Sequence, residues 1–549
     1  MKLEGGAALL LLEKDQLKTN KDRFEEIGIK TPAFNFEEVW EETKKEPIWL
    51  HFGGGNLFRA FHSVLQQHLI EKNETDKGII VASTSDDALI EKIYQPYDNL
   101  SLDVVMKADG SLEMEVIASV AESIATYNGP SSWQRLKEVA SHPSLQFISL
   151  SITEKGYDLK DMNGEIRASV REEIEQGLDQ PKKHTMLLLA TLLHERYQRG
   201  KSPLALVSTD NFSHNGDKLK EAIFTVASIW EENGAVEQGF IDYLNDETFI
   251  TYPWSMIDKI TPLPSVTVQA KLTDIGFGSA ELIPKRKNGS LVAPFVNTEE
   301  SEYLVIEDRF PNGRPPLEKV GVYFTEQKVV DLVERMKVCT CLNPLHTALA
   351  IFGCLLDYTS IADEMKDVDL KALVEKIGYD EGMKVVTDPG IIDPMAFIKE
   401  VIEVRFPNPN NPDTPQRIAS DTSQKLGIRF GETIKLYLER EDLDVKDLSY
   451  IPLTIAAWCR YLLGINDAGK EMNISPDPLL EDLQLHLQKV EFGNVDSVGG
   501  HLRPILSNQR IFGIDLYEVG LGEKVEEFFK LLIKGPGSVR TTLHHQIQS

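Results

Sequence analysis

Apolar positions along the chain follow two periods, first short buried strands alternating with helices, then helices almost alone. Pro47-Ile-Trp-Leu-His-Phe52 is an apolar run closed by Gly53-Gly54-Gly55, after which Asn56 to Lys72 carries Leu57, Phe61, Val64, Leu65 and Leu69 at helical spacing. A strand feeding a glycine turn and a helix opens a βαβ unit, and Gly78 to Ser83 supplies the second buried strand that such a unit requires. Leu145 to Ser151 and Pro203 to Ser208 predict two more strands, with a helix from about His184 to Arg199 separating them. Both end in polar residues, Thr153-Glu154-Lys155-Gly156-Tyr157 and Thr209 to Gly216, where a parallel strand presents groups to a ligand. Ser101 to Met106 and Ser111 to Ala118 flank Asp109-Gly110 and predict an inserted hairpin. Residues 263–325 are strand-rich and broken by Pro and Gly, whereas helical periodicities dominate beyond Gln327. The pattern therefore predicts an α/β fold with a polar extension over residues 1–45, an α/β domain over 46–325 and a mostly α-helical domain over 326–549.

Charge narrows the function. With 58 Lys and Arg against 86 Asp and Glu the net charge is −28, and the longest basic run is Lys285-Arg286-Lys287, which argues against nucleic acid as a partner. The apolar stretch near the start, Ala7 to Leu12, is too short for a signal core or a membrane span. Four cysteines, Cys339, Cys341, Cys354 and Cys459, suit a reducing, cytoplasmic location better than a disulfide scaffold. Monomer and homodimer are both open.

Two stretches carry candidate chemistry. Gly53 and Gly55 leave room for a pyrophosphate at the amino end of the following helix, although Phe58 stands where a third glycine would complete the dinucleotide fingerprint. The carboxylate expected to read the ribose is replaced by Ser83, Thr84 and Ser85, with Asp86 and Asp87 just beyond, so NAD and NADP both stay open. In the second stretch, Glu334 to His346, Pro344 predicts that one helix ends before Asn343 and another starts with Asn343 as its cap. Asn343 and His346 would share a face of that first turn, and the break would bring Lys337 to the same pocket. A lysine desolvated there is suited to take a proton from a hydroxyl, and an amide can donate to the developing oxyanion. The residues alone leave open a glycine turn without cofactor, a surface lysine and a plain helix cap. No metal is expected, since C-x-C with one histidine lacks a second ligand pair.

Five ordered motifs resemble one family, the polyol-specific long-chain dehydrogenases and reductases. They are Gly53-Gly54-Gly55-Asn56-Leu57-Phe58-Arg59-Ala60, Thr153-Glu154-Lys155-Gly156-Tyr157, Asp210-Asn211 with Asn215-Gly216, Met256 to Pro262 around Asp258, and Arg417 to Lys425. The resemblance implies a Rossmann-type N-terminal domain and metal-independent hydride transfer between NAD, or NADP, and a sugar acid or polyol. Fructuronate is the leading substrate, with mannitol and tagaturonate as alternatives and a catalytically silent dinucleotide sensor as a different class. By matching position it implies Lys337 as acid/base, Asn211 and Asn343 as polarising amides and His346 as an orienting group. Gly53, Gly54, Gly55, Asn56, Leu57, Arg59, Thr153 and Glu154 would hold the cofactor, and Asp258, Arg417 and Lys425 the substrate. The chain departs from the family at one point of spacing: five residues separate Lys337 from Asn343, where the family has four.

Overall fold

The computed structural model describes residues 9–83, 87–161, 163–284 and 291–548. The chain divides into two compact units, Met1–Asp331 and Leu332–Ser549.

The first unit is built on a six-stranded sheet whose strands are β1 (Trp49–Phe52), β2 (Ile79–Ala82), β3 (Val120–Ile124), β4 (Phe147–Leu150), β5 (Leu204–Ser208) and β6 (Ile250–Thr251). Their order is 3-2-1-4-5-6 and every neighbouring pair is parallel. Strand order reverses between β1 and β4, so the crevice at their carboxyl ends is the topological switch point where α/β sheets bind ligands. Alternate residues feed two cores, as the two-residue period of a strand dictates. Leu50, Phe52, Ile80, Ala82, Ile148 and Leu150 pack with Leu136, Leu189 and Ile223 on one face. Trp49, Ile79, Val81, Phe147 and Val207 pack with Phe61, Leu65 and Leu69 on the other. A sheet covered on both faces has nearly continuous apolar strands, which is why β1, β2, β4 and β5 stand out in the sequence.

The hairpin forms as expected, Ser101–Met106 pairing antiparallel with Leu112–Ile117. It belongs to a second sheet, completed by Ile29–Lys30 and Phe295–Thr298. The polar start of the chain is woven into the same layer: Leu10, Leu12, Leu17, Phe24 and Ile29 are buried with Leu102, Val104 and Phe295. Two main-sheet strands escape the sequence reading. β3 follows the hairpin directly and carries Glu122 and Ser123 at its centre, and β6 has only two residues.

Among the described residues all strands lie in the first unit, and the second is helical. Residues Gln327–Leu355 are long and apolar enough to cross a bilayer by length and composition, but the stretch is mostly buried as a core helix. Behind it Glu364 is fully buried, with neither carboxyl oxygen partnered among the described residues. Glycine at 353 makes its room, since a Cβ there would stand 2.1 Å from Glu364 Oε1. Burial, helped by the charge of Asp367, holds this carboxyl well above its ordinary 4.5. For an acid raised in the folded state, stability is full below the unfolded pKa and falls as pH rises from there toward the folded value. Glu364→Gln is therefore expected to flatten the dependence of melting temperature on pH above the ordinary carboxyl pKa of about 4.5, measured by thermal denaturation, relative to the parent chain.

Candidate active site

At the switch point the chain leaves β1 through Gly53, whose φ of +106° favours glycine and whose missing Cβ would stand 2.2 Å from the Ser151 carbonyl oxygen at the end of β4. Gly54 is covered by Tyr94, whose hydroxyl donates to the Gly54 carbonyl at 2.7 Å. Gly55 is different: nothing lies within 4 Å of a Cβ placed there. It opens a cavity of about 260 Å³, lined also by Asn56, Leu57, Ser151, Thr153, Asp210 and Thr261. Helix α1 (residues 56–71) starts on this wall. A glycine with open space beside a helix amino end is a cradle that a pyrophosphate can enter, so the residues present fit a dinucleotide. Gly53→Ala is expected to destabilise the unit by about 2 kcal/mol or more, through positive φ and the clash with Ser151, as read by denaturant titration.

The missing third glycine has a physical replacement. Its usual job is close packing of helix on strand. Here Phe58 stacks on His51 of β1 at 4.3 Å, and the first turns of α1 widen into a π-helical turn over Phe58–His62. Arg59 is fully buried and holds the cradle from beneath, donating to Asn56 Oδ1 at 3.1 Å and to the Ala293 carbonyl at 2.7 Å. Glu154 turns to the surface and pairs with Lys218 at 3.1 Å. The ribose-reading positions Thr84, Ser85 and Asp86 lie outside the described residues.

The loop after β5 shows what Asp210-Asn211 and Asn215-Gly216 do. Asp210, 7% exposed, accepts from the Ile152 and Thr153 amides at 3.0 and 2.7 Å and from the Tyr157 hydroxyl at 2.7 Å. Burial raises its carboxyl pKa while those bonds oppose the rise. Asn215 donates to the carbonyls of Ser208, Asp210 and Ser255 and accepts from the Ser255 amide at 3.0 Å, which fixes both ends of the loop. Gly216 lets the next helix approach: a Cβ would meet the Tyr252 carbonyl at 2.4 Å. Asn211 is exposed on this loop, and Asp258 is buried at the end of strand Ser255–Asp258.

In the second unit Lys337 is 4% exposed and sits in a π-helical turn, Met336–Cys341, between helix α2 (Gln327–Arg335) and helix α3 (Asn343–Leu355). The Leu342 amide donates to the Lys337 carbonyl at 3.0 Å, an i to i+5 bond. This corrects the expectation that Asn343 caps a new helix. Leu342, with φ −131° and ψ −60°, occupies the cap, and Asn343 is the first helical residue. A π turn holds one residue more than an α turn, which gives the extra residue between Lys337 and Asn343 its place. Asn343 Oδ1 and His346 Nε2 are buried polar atoms with no hydrogen-bond partner among the described residues. The imidazole lies 3.4 Å from Asp413 Oδ2, though too poorly aligned to bond.

Around His346 the charge of this acidic protein reverses locally. Burial, followed by the charges of Arg429, Arg417, Arg405 and Lys425, pushes His346 down to about 3, so it is neutral at working pH. Arg429 is half-buried, desolvation lowers its pKa to about 10, and it donates to Thr347 Oγ1 at 2.6 Å. Lys425 donates to the Ser420 carbonyl at 2.6 Å, and its pKa is lowered by burial and by Arg429. Arg417 has a side chain 62% exposed and pairs with Asp413. The sequence reading found Arg417 and Lys425 and missed Arg405 and Arg429. Arg429 could have been found, since it falls one helical turn after Lys425; Arg405 is too far along the chain for spacing to reveal. Arg405 and Arg429, like Lys337, stand in π-helical turns, Val401–Arg405 and Gly427–Gly431. Such turns re-aim side chains that a regular helix would direct elsewhere.

Comparison with known proteins places these features in a family. The family model described as the mannitol dehydrogenase Rossmann domain matches residues 47–319, and the mannitol dehydrogenase C-terminal domain matches residues 330–530. A D-mannonate oxidoreductase of Thermotoga maritima is 52% identical over 96% of this chain and 98% of its own length. The D-mannonate oxidoreductase of Escherichia coli is 26% identical over 81% of this chain and 86% of its own. Among solved structures, Pseudomonas fluorescens mannitol 2-dehydrogenase in ternary complex with NAD and D-mannitol superposes with a TM-score of 0.67 at 24% identity, covering 98% of this chain and 100% of that one. A substrate-free D-sorbitol dehydrogenase gives 0.76 at 23% identity, covering 93% and 97%. At these identities the two structures speak for the fold.

Proposed function

The chain belongs to the mannitol dehydrogenase family, and from that premise we propose that it is an NAD-dependent D-mannonate oxidoreductase, interconverting D-fructuronate and D-mannonate. The observation that carries the choice of a sugar acid is the cluster of Arg405, Arg417, Lys425 and Arg429 acting on His346 in a chain of net charge −28. Gathering four cations in one partly buried place, with Arg405 buried and Arg417 at its exposed rim, costs mutual repulsion and some desolvation, which an incoming carboxylate offsets through charge-assisted hydrogen bonds. A neutral polyol offers no such return.

In this reading Gly53, Gly54 and Gly55 make the turn and Gly55, Asn56, Leu57 and Thr153 wall the dinucleotide cavity, with Arg59 supporting Asn56 and Glu154 anchoring the Thr153 turn through Lys218. Bound there, NADH would supply the hydride for reduction of the ketone, and NAD would accept it in the reverse direction. Lys337 as an ammonium gives its proton to the carbonyl oxygen as that oxygen gains charge, and as an amine takes it back from the hydroxyl. The Asn343 amide donates to the same oxygen, and Asn211 is a further amide donor to the substrate. Neutral His346 accepts or donates a hydrogen bond to a substrate hydroxyl, while Arg417, Lys425 and Arg429, with Arg405 backing them, hold the carboxylate. Asp258 has a supporting role.

A panel of fructuronate, tagaturonate and fructose, each with NADH and NADPH and followed by absorbance of the reduced nicotinamide, tests the reading. Oxidation of NADH with fructuronate, at least about tenfold more efficient than with fructose, is the expected result. Equal or better use of fructose would overturn the sugar-acid assignment, and inertness toward all three would favour a dinucleotide sensor.

A further inference from the structure

Thr153 has a backbone conformation that threonine avoids. Its φ is +68° and its ψ 154°. Other non-glycine residues of positive φ, such as Asp98, His214 and Asp421, have ψ values of 34°, 40° and 30° and rest in the ordinary left-handed helical well. The region that Thr153 occupies is otherwise almost the preserve of glycine, and a β-branched side chain makes it worse. Such strain persists only where the surroundings over-determine it. Here the cause is visible. The carboxylate of Asp210 takes the successive amides of Ile152 and Thr153, one on each oxygen, at 3.0 and 2.7 Å. The carboxylate is itself pinned by the Tyr157 hydroxyl, and the Asp210 carbonyl by Asn215 Nδ2 at 3.1 Å.

The strained residue lines the same cavity as Gly55 and lies in the turn that follows β4. In a 3-2-1-4-5-6 sheet the half containing β4 and β5 is the second mononucleotide-binding half, which takes the nicotinamide end when the glycine turn after β1 takes the pyrophosphate. We propose that Asp210 is a positioning residue for hydride transfer: by gathering the Ile152 and Thr153 amides it forces the backbone of Thr153 into a glycine-like course that shapes the wall against which the nicotinamide mononucleotide rests. The proposal rests on the dinucleotide reading above and adds to it a residue that touches neither substrate nor, by itself, the reacting atoms.

Two measurements test it, one without any ligand. In the ligand-free full chain Thr153→Gly is expected to melt above Thr153→Ala, because alanine keeps the strain and glycine removes it; at an ordinary φ the order is the reverse. For binding, NADH is titrated by fluorescence into four chains. Asp210→Asn should weaken NADH about tenfold when Thr153 is present and by less than about threefold in the Thr153→Gly background, since glycine can hold the course without the carboxylate. Equal losses in both backgrounds, or alanine melting at or above glycine, would overturn the proposal. If Asp210→Asn does not fold, the glycine and alanine order decides alone. A parent chain that does not bind NADH would instead sink the dinucleotide reading and leave the melting order as a test of the strain.

Discussion

Replacing Lys337 with alanine is expected to lower kcat for fructuronate reduction by about a thousandfold, the middle of the range that a positioned general acid supplies. NADH affinity should stay within about twofold of the parent, because Lys337 belongs to the second unit and the dinucleotide cavity is walled by residues of the first. The split between turnover and binding is the informative part, since an unfolded or distorted variant would lose both. Lys337 is buried, so its removal leaves a small void, and a modest fall in melting temperature is expected alongside. Steady-state kinetics with a parallel NADH titration reads both quantities.

Arg429→Ala is expected to raise KM for fructuronate by about 10- to 100-fold while leaving KM for NADH unmoved. A hydrogen bond to a charged group contributes about 1.5–3 kcal/mol, and about 1.4 kcal/mol is a factor of ten. Arg429 is held rigidly by its bond to Thr347 Oγ1, so little entropy is lost when a carboxylate arrives, and the effect should sit toward the upper end. Arg429→Lys should recover only part of the loss, because an ammonium cannot reproduce the planar fork of a guanidinium. A KM unchanged in both variants would place the carboxylate elsewhere.

Much of this was legible from pattern because burial leaves a strong mark. Strands β1, β2, β4 and β5 are covered on both faces and therefore read as unbroken apolar runs, and the glycine turn follows from positive φ and close approach that only glycine tolerates. β3 and β6 were not legible, since an edge strand with Glu122 at its centre and a two-residue strand carry too little apolar signal. The candidate site divides along a similar line. Lys337, Asn343 and His346 are close in sequence, so one stretch announces them. Arg405 and Asp413 reach the neighbourhood of His346 through tertiary folding that no local period encodes. The misplaced cap at Asn343 has a local cause: Pro344 does interrupt the regular bonding, but the preceding turn widens to a π turn and the interruption falls one residue earlier, at Leu342. Thr153 was named for its motif, while its strain, which is the physical reason to expect a function there, depends on Asp210 from the next crossover and shows only in three dimensions.

The proton-transfer role of Lys337 is reached most directly by supplying the missing amine in solution. Turnover by Lys337→Ala should rise in proportion to added methylammonium and level off with the small cation saturating the vacated space, at unchanged NADH affinity. A variant that binds NADH normally and retains parent-like turnover with no amine present would contradict the role assigned to this residue.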